Sequence, residues 1–264
     1  MEAGRAPGGE LRQAPGGLHR RSLLRGAGGG RPGLGQAGPC LHPLVTDRTY
    51  RALLVDYGGV LTTPVAESFA IFCQETGVNP ERIRAVLASA YTGGLDERER
   101  WGLADLVPAV ETGRMSLEDF NGALATVLSE GMAQPLEALD LASRMFGHAV
   151  RDDRMIRAVK GAQEHGIRTG LISNTWGVPE PSPWYSETFG TVVLSGREGI
   201  RKPQAEIYLL AAKRLDVDPA AAVFVDDIPA NVDGARAVGM TAILHRHPDI
   251  TIPKLEELFG LDLG

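Results

Sequence analysis

Residues 52–59 of the 264-residue chain read ALLVDYGG, and this stretch decides the fold. Its first four residues are all apolar, which is typical of a central strand in a parallel sheet because such a strand is buried on both faces. Asp56 follows at once, and then Tyr57, Gly58 and Gly59. The stretch therefore predicts a buried strand with a carboxylate at its carboxyl end.

The same pattern recurs four times. Apolar runs at residues 167–172, 191–194, 222–225 and 240–244 lead respectively into Ser173 and Asn174, Ser195 and Gly196, Asp226 and Asp227, and His245. Helical patterns lie between the runs, and this alternation predicts right-handed βαβ units. The predicted fold class is α/β, a Rossmann-like doubly wound parallel sheet. Ligands of such sheets bind beyond the carboxyl ends of the strands, which is where these polar residues stand.

One long interval interrupts the alternation. Residues 66–151 contain no convincing strand, but they show amphipathic helical patterns at residues 69–75, 80–90 and 116–128. The last of these patterns opens with Ser116 as its predicted N-cap. We predict that residues 66–151 form a separate helical cap domain over the binding edge of the sheet, and that residues 47–65 and 152–264 form the α/β core.

The first 46 residues differ from the rest in composition. They contain twelve Gly and five Pro and almost no β-branched or aromatic side chains. Such a segment cannot bury enough apolar area to offset the entropy lost on ordering the chain. We therefore predict a disordered extension over residues 1–46.

Charge and cysteine content narrow the class of protein. The extension carries six Arg and two Glu, which is a charge of +4. Because the net charge of the whole chain is −6, the rest of the chain carries −10. An acidic folded part argues against a nucleic-acid or anionic-membrane partner.

Only Cys40 and Cys73 occur, which excludes a disulfide framework. No apolar segment approaches the ~18 residues that span a bilayer, so we expect a cytoplasmic protein.

The predicted sheet edge gathers groups suited to phosphate chemistry. It collects three carboxylates, an ammonium group, a hydroxyl and an amide, from Asp56, Asp226 and Asp227, Lys202, Ser173 and Asn174. Clustered carboxylates repel one another unless a divalent cation binds among them, and hard oxygen ligands suit Mg²⁺. A carboxylate beside such a metal can act as a nucleophile and become an aspartyl phosphate. The reaction class indicated is phosphoryl transfer to water.

Four segments resemble the ordered motifs of the haloacid dehalogenase superfamily of phosphohydrolases. They are residues 53–62 (LLVDYGGVLT), 170–174 (GLISN), 199–203 (GIRKP) and 223–228 (VFVDDI). Each alone is weak, but their order identifies the chain as a member over about residues 51–260. The helical insertion is similar to the cap domain of that family. Residues 111–116 (ETGRMS) and 231–240 (NVDGARAVGM) are similar to the branch that contains the phosphatase domain of soluble epoxide hydrolase.

This resemblance implies how a magnesium ion is held. Asp56 ligates Mg²⁺ with one carboxylate oxygen, and Gly58 offers its main-chain carbonyl. Asp227 is the main carboxylate of the fourth motif, and Asp226 supports the metal or its waters. Asn231 stands where other branches have a further carboxylate, and it supports the metal ligands instead of binding the metal itself.

The resemblance also implies how the substrate, a small phosphorylated metabolite, is bound and attacked. Asp56 attacks phosphorus with its other carboxylate oxygen. The Ser173 hydroxyl and the Asn174 amide hydrogen-bond the phosphate oxygens, and Lys202 neutralises both the phosphate and the nucleophile. The main chain at Gly58 and at Gly59 borders the bound substrate.

Gly58 is a departure from the family pattern. Most phosphatases of the superfamily have an Asp at this position, which protonates the leaving oxygen and then activates water. Its absence removes a general acid/base worth ~10² to 10⁴ in rate. The enzyme then favours good leaving groups, or uses a cap residue or water instead, or turns over slowly.

Two alternative functions stay open. A 2-haloacid dehalogenase also uses an Asp nucleophile without the second Asp, but it attacks carbon, needs no metal and lacks the acidic pair. Asp226 and Asp227 therefore favour the phosphatase. A weakly active or inactive relative that binds a phosphorylated ligand is the other alternative, because of Gly58.

Overall fold

The apolar runs form five strands of one parallel sheet in the computed structural model, which describes residues 50–91, 105–177 and 183–264. The strands are β1 (Ala52–Val55), β2 (Arg168–Ser173), β3 (Thr191–Leu194), β4 (Ala222–Asp226) and β5 (Thr241–Leu244). Their order in the sheet is β3-β2-β1-β4-β5, so the winding reverses at β1. The predicted Rossmann-like doubly wound sheet is confirmed. The extension predicted for residues 1–46 lies outside the described residues.

Six helices lie between β1 and β2 in the described residues, and the first five belong to residues 65–145, which we call the helical segment. These five are α1 (Val65–Thr76), α2 (Pro80–Tyr91), α3 (Leu106–Glu111), α4 (Leu117–Leu128) and α5 (Leu141–Met145). The predicted cap of α4 is present, because Ser116 Oγ accepts a hydrogen bond from the main-chain N–H of Asp119 at 3.0 Å. The short helices α3 and α5 were not predicted, since five or six residues do not show a helical period.

The helical segment has a hydrophobic cluster of its own. Phe72, Phe120, Leu124 and Leu128 are buried in it, together with Cys73, which the structure shows as a free cysteine. This cluster is separate from the two clusters that flank the sheet. The helical segment therefore packs largely on itself, although its status as a separate cap domain stays a prediction.

The remaining helices cover both faces of the sheet. They are α6 (Asp153–Glu164), α7 (Pro183–Thr188), α8 (Ser195–Glu198), α9 (Ala205–Arg214), α10 (Pro229–Ala237) and α11 (Pro248–Phe259). Leu53 and Val55 of β1 share a cluster with residues of α6 and α11, whereas Leu54 shares a cluster with residues of α9 and α10. Successive strand residues thus face opposite layers. No helix in the described ranges has the length and apolar character needed to cross a membrane.

The chain leaves the α/β part and returns to it at one place. The main-chain N–H of Thr63 donates to Val150 O at 2.7 Å, and that of Asp152 donates to Leu61 O at 2.9 Å. These bonds flank an antiparallel bridge between Thr62 and Arg151. The helical segment is therefore joined to the sheet by two paired stretches of chain, directly after β1.

Candidate active site

Polar side chains from three neighbouring strands meet at the carboxyl end of the sheet. Asp56 follows β1, Ser173 ends β2 and Asp226 ends β4. Because β1 lies between β2 and β4 and all three run in parallel, these residues reach one edge. Lys202 reaches the same edge from the loop between α8 and α9.

Lys202 is the buried cation at the centre of this group. Its Nζ lies 2.7 Å from Asp56 Oδ1 and 2.6 Å from Asp226 Oδ2, and the side chain is 1% exposed. Burial acts to lower the pKa of the ammonium group, but the carboxylates of Asp226 and Asp56 outweigh it and raise the pKa. Lys202 therefore stays charged and holds the two carboxylates beside each other.

The carboxylates outnumber this cation. Asp56, Asp226 and Asp227 each place an oxygen within 4.8 Å of the others. Burial raises the pKa of Asp56 to about 7, because the nearby carboxylates add to it and Lys202 offsets only part of it. Burial and Asp226 likewise raise the pKa of Asp227 to about 6. The donor set fits a magnesium ion, since a divalent cation would balance the excess negative charge and would find the oxygen ligands it prefers.

Asp226 is held from several sides. Its Oδ1 accepts a hydrogen bond from the main-chain N–H of Ile228 at 2.8 Å. The Nδ2 of Asn231 lies 3.0 Å and 3.1 Å from the two carboxylate oxygens. Asn231 is itself fully buried, and its Oδ1 has no hydrogen-bond partner within the described part of the chain. A buried acceptor of this kind is a place for a donor from outside the protein, such as an ordered water.

Gly59 makes room for Asp227. Its φ of 72° lies in the left-handed region, and a Cβ added there would lie 2.3 Å from Asp227 Oδ2. Its N–H donates to Thr62 Oγ1 at 3.0 Å, so this main-chain donor is already engaged. The position therefore requires glycine on both conformational and steric grounds. Its predicted contact with substrate stays a prediction.

Ser173 and Asn174 lie next to each other at the carboxyl end of β2. Both line the cavity described below, and Ser173 is 7% exposed. The Oδ1 of Asn174 accepts from the main-chain N–H of Lys202 at 2.9 Å, and its Nδ2 donates to Lys202 O at 3.1 Å. The Asn174 amide thus makes two hydrogen bonds with the main chain of Lys202. This contact adds a role to the predicted hydrogen bond with phosphate, which stays a prediction.

A cavity of about 550 Å³ opens above these residues, between the sheet edge and the helical segment. One part of its lining is polar and comes from Asp56, Ser173, Asn174, Lys202, Asp227 and Asn231. Another part is apolar and includes Val65, Phe69, Leu87, Val107, Phe146 and Trp176. The site therefore combines a charged floor with an apolar wall.

Two further residues that line the cavity, Trp176 and Glu111, differ in how far the sequence predicted their place there. Trp176 lies two residues after Asn174, close enough to shape the pocket, and it does line the cavity. Its ring lies 4.8 Å from that of Phe120 and 5.0 Å from that of Phe146, measured between centroids. Glu111 of α3 also lines the cavity; it is the first residue of the segment 111–116, to which the sequence motif assigned no role in the site.

Curated relatives of this chain include enzymes of different kinds. It is 26% identical over 223 residues to acyl-CoA dehydrogenase family member 10 of Mus musculus, a match that covers 82% of this chain and 20% of the relative. It is 30% identical over 118 residues to a sesquiterpene phosphatase of Aspergillus oryzae, covering 41% of this chain and 58% of the relative. The chain thus spans about a fifth of the mouse relative and little more than half of the fungal one.

Solved structures share the fold. A haloacid dehalogenase family enzyme from Bacteroides thetaiotaomicron, in complex with magnesium and inorganic phosphate, has a TM-score of 0.50 at 19% identity over 75% of this chain and 94% of its own. The L-2-haloacid dehalogenase of Xanthobacter autotrophicus has a TM-score of 0.51 at 18% identity over 74% of this chain and 76% of its own. A model of one hydrolase family matches residues 50–239. The chain belongs to the haloacid dehalogenase-like hydrolases.

Proposed function

We propose that this protein is a Mg²⁺-dependent phosphohydrolase that acts on a small phosphorylated metabolite through an aspartyl phosphate. The observation that carries the proposal is the cluster of buried Asp56 and Asp226 and half-buried Asp227 around Lys202, open to a cavity. Such a cluster favours metal-assisted phosphate chemistry over metal-free chemistry, because its carboxylates are under-compensated without a divalent cation. The Bacteroides relative binds magnesium and phosphate, which supports the proposal.

Asp56 is the proposed nucleophile. One of its oxygens attacks phosphorus, the bond from phosphorus to the ester oxygen breaks, and the alcohol leaves as it takes up a proton. Water then attacks the phosphorus of the aspartyl phosphate, which releases inorganic phosphate and restores the Asp56 carboxylate. Lys202 and Ser173 stabilise the negative oxygens of the transferring group with an ammonium charge and a hydroxyl hydrogen bond.

Asp56, Asp227 and the main-chain carbonyl of Gly58 would hold the magnesium ion, with Asp226 supporting them. When bound, the ion supplies positive charge that neutralises the phosphate and favours attack by an anionic nucleophile. The protein's own part is to fix its ligands. Lys202 and Asn231 hold Asp226, and Gly59 allows the close approach of Asp227.

The apolar wall supports a narrower substrate class. Phe69, Phe146 and Trp176 face a cavity whose floor is charged, and an apolar group bound there would remove apolar surface from water. We propose that the phosphate ester carries an apolar alcohol portion. One of the curated relatives is a sesquiterpene phosphatase, which supports this choice. The helical segment would serve as the cap that encloses the ester and excludes water.

The test is hydrolysis of an aryl phosphate with a good leaving group, with Mg²⁺ or with EDTA. We expect release of phosphate only with Mg²⁺, and faster hydrolysis of a phosphate ester of a long apolar alcohol than of a sugar phosphate. Absence of Mg²⁺-dependent turnover, with inorganic phosphate still bound, would point to the phosphate-binding relative. Release of halide from a 2-haloacid without metal would point to the dehalogenase instead.

Magnesium binding should depend on pH. Without metal, the pKa values of about 7 for Asp56 and about 6 for Asp227 lie above the ordinary aspartate value of 3.8, so the folded chain binds more protons than the unfolded chain between pH 3.8 and about 7. The stability of the metal-free chain should therefore fall as pH rises from about 4 to about 7. Mg²⁺ competes with these protons, so its stabilising effect should grow over the same window.

We expect the increase in Tm on adding MgCl₂ to be near zero at pH 5 and largest at pH 8. At 100 times the dissociation constant, the stabilisation is about 2.7 kcal/mol, or roughly 5 to 10 °C for a chain of this size. Thermal unfolding at four pH values measures it, with NaCl at matched ionic strength as the control. An equal increase in Tm at every pH would contradict the expectation.

The glycine at position 58 leads to a prediction about the leaving group of the substrate. A Cβ at this position would lie 3.0 Å from Val65 Cγ2, so Gly58→Asp needs space. In the double variant Gly58→Asp/Val65→Ala, we expect the rate on an alkyl phosphate relative to an aryl phosphate to rise by up to ~10², because the new carboxyl can protonate a poor leaving group. Val65→Ala alone should leave this ratio unchanged. The idea fails if the double variant binds Mg²⁺ normally and shows the wild-type ratio.

A further inference from the structure

Glu111 is a buried carboxylate with no role in the chemistry proposed above. It is the last residue of α3, it is 3% exposed, and it lines the cavity. Its partners come from the sheet side of the cavity. Its Oε2 accepts from Arg201 Nε at 2.5 Å and from Asn174 Nδ2 at 3.4 Å, and the Trp176 side chain also hydrogen-bonds Glu111.

Arg201 connects the Glu111 carboxylate to α2, a second helix of the helical segment. Its Nη1 donates to the main-chain carbonyl of Ala90 in α2 at 3.0 Å. The side chains of Arg201 and Glu111 are 9% and 4% exposed, so their ion pair is buried. Removing one partner of a buried pair leaves the other charge uncompensated, so the pair strongly favours one placement of α2 and α3 against the loop that carries Arg201.

The next residue in that loop is Lys202, and Asn174 connects it to Glu111. Asn174 accepts from the Lys202 N–H and donates to the Lys202 carbonyl, and the same Nδ2 also lies within reach of Glu111. The Lys202 main chain is therefore held by Asn174 and by the neighbouring Arg201, both of which contact Glu111. The Lys202 ammonium group in turn contacts Asp56 at 2.7 Å.

We infer that Glu111 is a positioning residue. Through Glu111, the position of Lys202 depends on whether the helical segment is packed against the loop that carries Arg201 and Lys202. With Glu111 in place, Arg201 and Asn174 are fixed, and Lys202 lies ready beside the nucleophile. When the segment is displaced, Glu111 leaves with α3 and the loop loses its anchor. The inference rests on the proposed function for its catalytic consequence, since binding of the substrate under the segment would then assemble the site.

The variants that test it are Glu111→Ala and Glu111→Gln in the full chain. The glutamine keeps an oxygen acceptor for Arg201 and Asn174 but loses the charge, so it should show a weaker effect than alanine. Asp105→Asn is the matched control, because it also breaks a carboxylate–arginine pair at α3. Asp105 pairs with Arg114 on the surface, where the two side chains are 64% and 56% exposed.

The first readout is hydrogen exchange in the peptide that contains the Lys202 amide, which needs no turnover. We expect exchange at this amide to be faster in Glu111→Ala, less so in Glu111→Gln, and unchanged in Asp105→Asn. Unchanged exchange in both Glu111 variants overturns the inference. A wild-type chain without phosphatase activity would overturn the proposed function, and the exchange result would still decide the role of Glu111.

The second readout is binding of inorganic vanadate and inorganic phosphate with Mg²⁺, together with kcat and KM on an aryl phosphate. Misplacement of a catalytic group by about 1 Å can cost ~10² in rate. We therefore expect kcat to fall roughly 10- to 100-fold in Glu111→Ala, and vanadate affinity to fall more than phosphate affinity. A lower Tm with unchanged kcat, KM and ratio of the two affinities would show a merely structural role and overturn the inference.

Discussion

Asp56→Asn should remove Mg²⁺-dependent phosphatase activity almost completely, by at least roughly 10³-fold in kcat, as loss of a catalytic nucleophile typically does. Asparagine matches aspartate in shape but its amide is not a nucleophile toward phosphorus. The fold should survive the change, because Lys202 keeps its contact with Asp226 at 2.6 Å. Steady-state kinetics with an aryl phosphate measures the loss, and circular dichroism checks the fold.

The metal-free stability of this variant separates a catalytic role from a structural one. Asp56 is one of three carboxylates that crowd a single ammonium group, so replacing it should leave the metal-free chain at pH 8 as stable as the wild type or more stable. Mg²⁺ should then bind more weakly. Turnover close to the wild-type rate would remove Asp56 as the nucleophile and with it the aspartyl phosphate.

Lys202→Met should have the largest effect on stability. Methionine fills a similar volume but leaves Asp56 and Asp226 buried without their counter-charge. Breaking a buried ion pair from one side costs about 3 to 5 kcal/mol. We expect a loss of this size at pH 8 and a smaller loss at pH 6, below the pKa of about 7 of Asp56, because protonation of Asp56 removes part of the unbalanced charge.

Urea unfolding at the two pH values, with and without Mg²⁺, measures this loss. Mg²⁺ should restore part of the stability, because it supplies positive charge to the same carboxylates. Lys213→Met on α9 is the control, since Lys213 is exposed and its loss should change the free energy of unfolding by less than about 0.5 kcal/mol. Equal stability losses in the two variants would show that Lys202 does not balance the carboxylates.

Much of the fold follows from local sequence pattern. The five apolar runs became the five strands within one or two residues at each end, because a strand buried on both faces needs an uninterrupted apolar stretch. The Ser116 cap and the long helices of the helical segment were predicted for a similar reason, since their apolar stripes have a helical period. The helices α3 and α5 are too short to show one.

The site was predictable wherever residues stand at strand ends. Asp56, Ser173 and Asp226 are each placed by the strand beside them, and parallel strands bring their carboxyl ends to one edge. The sequence alone therefore indicated which groups meet and which metal suits them. The pKa values of Asp56 and Asp227 did not follow, because they depend on burial and on distances between carboxylates.

Only the tertiary structure decided what encloses the site. Glu111 contacts Arg201, ninety positions further along the chain, and no local pattern encodes a contact across that separation. The hydrogen bonds between Asn174 and the Lys202 main chain likewise join residues far apart in the sequence, and the apolar wall around Trp176 depends on how the helical segment packs on the sheet. The sequence determined which polar side chains meet at the strand ends, because backbone geometry places those residues. Packing of distant side chains determined the rest.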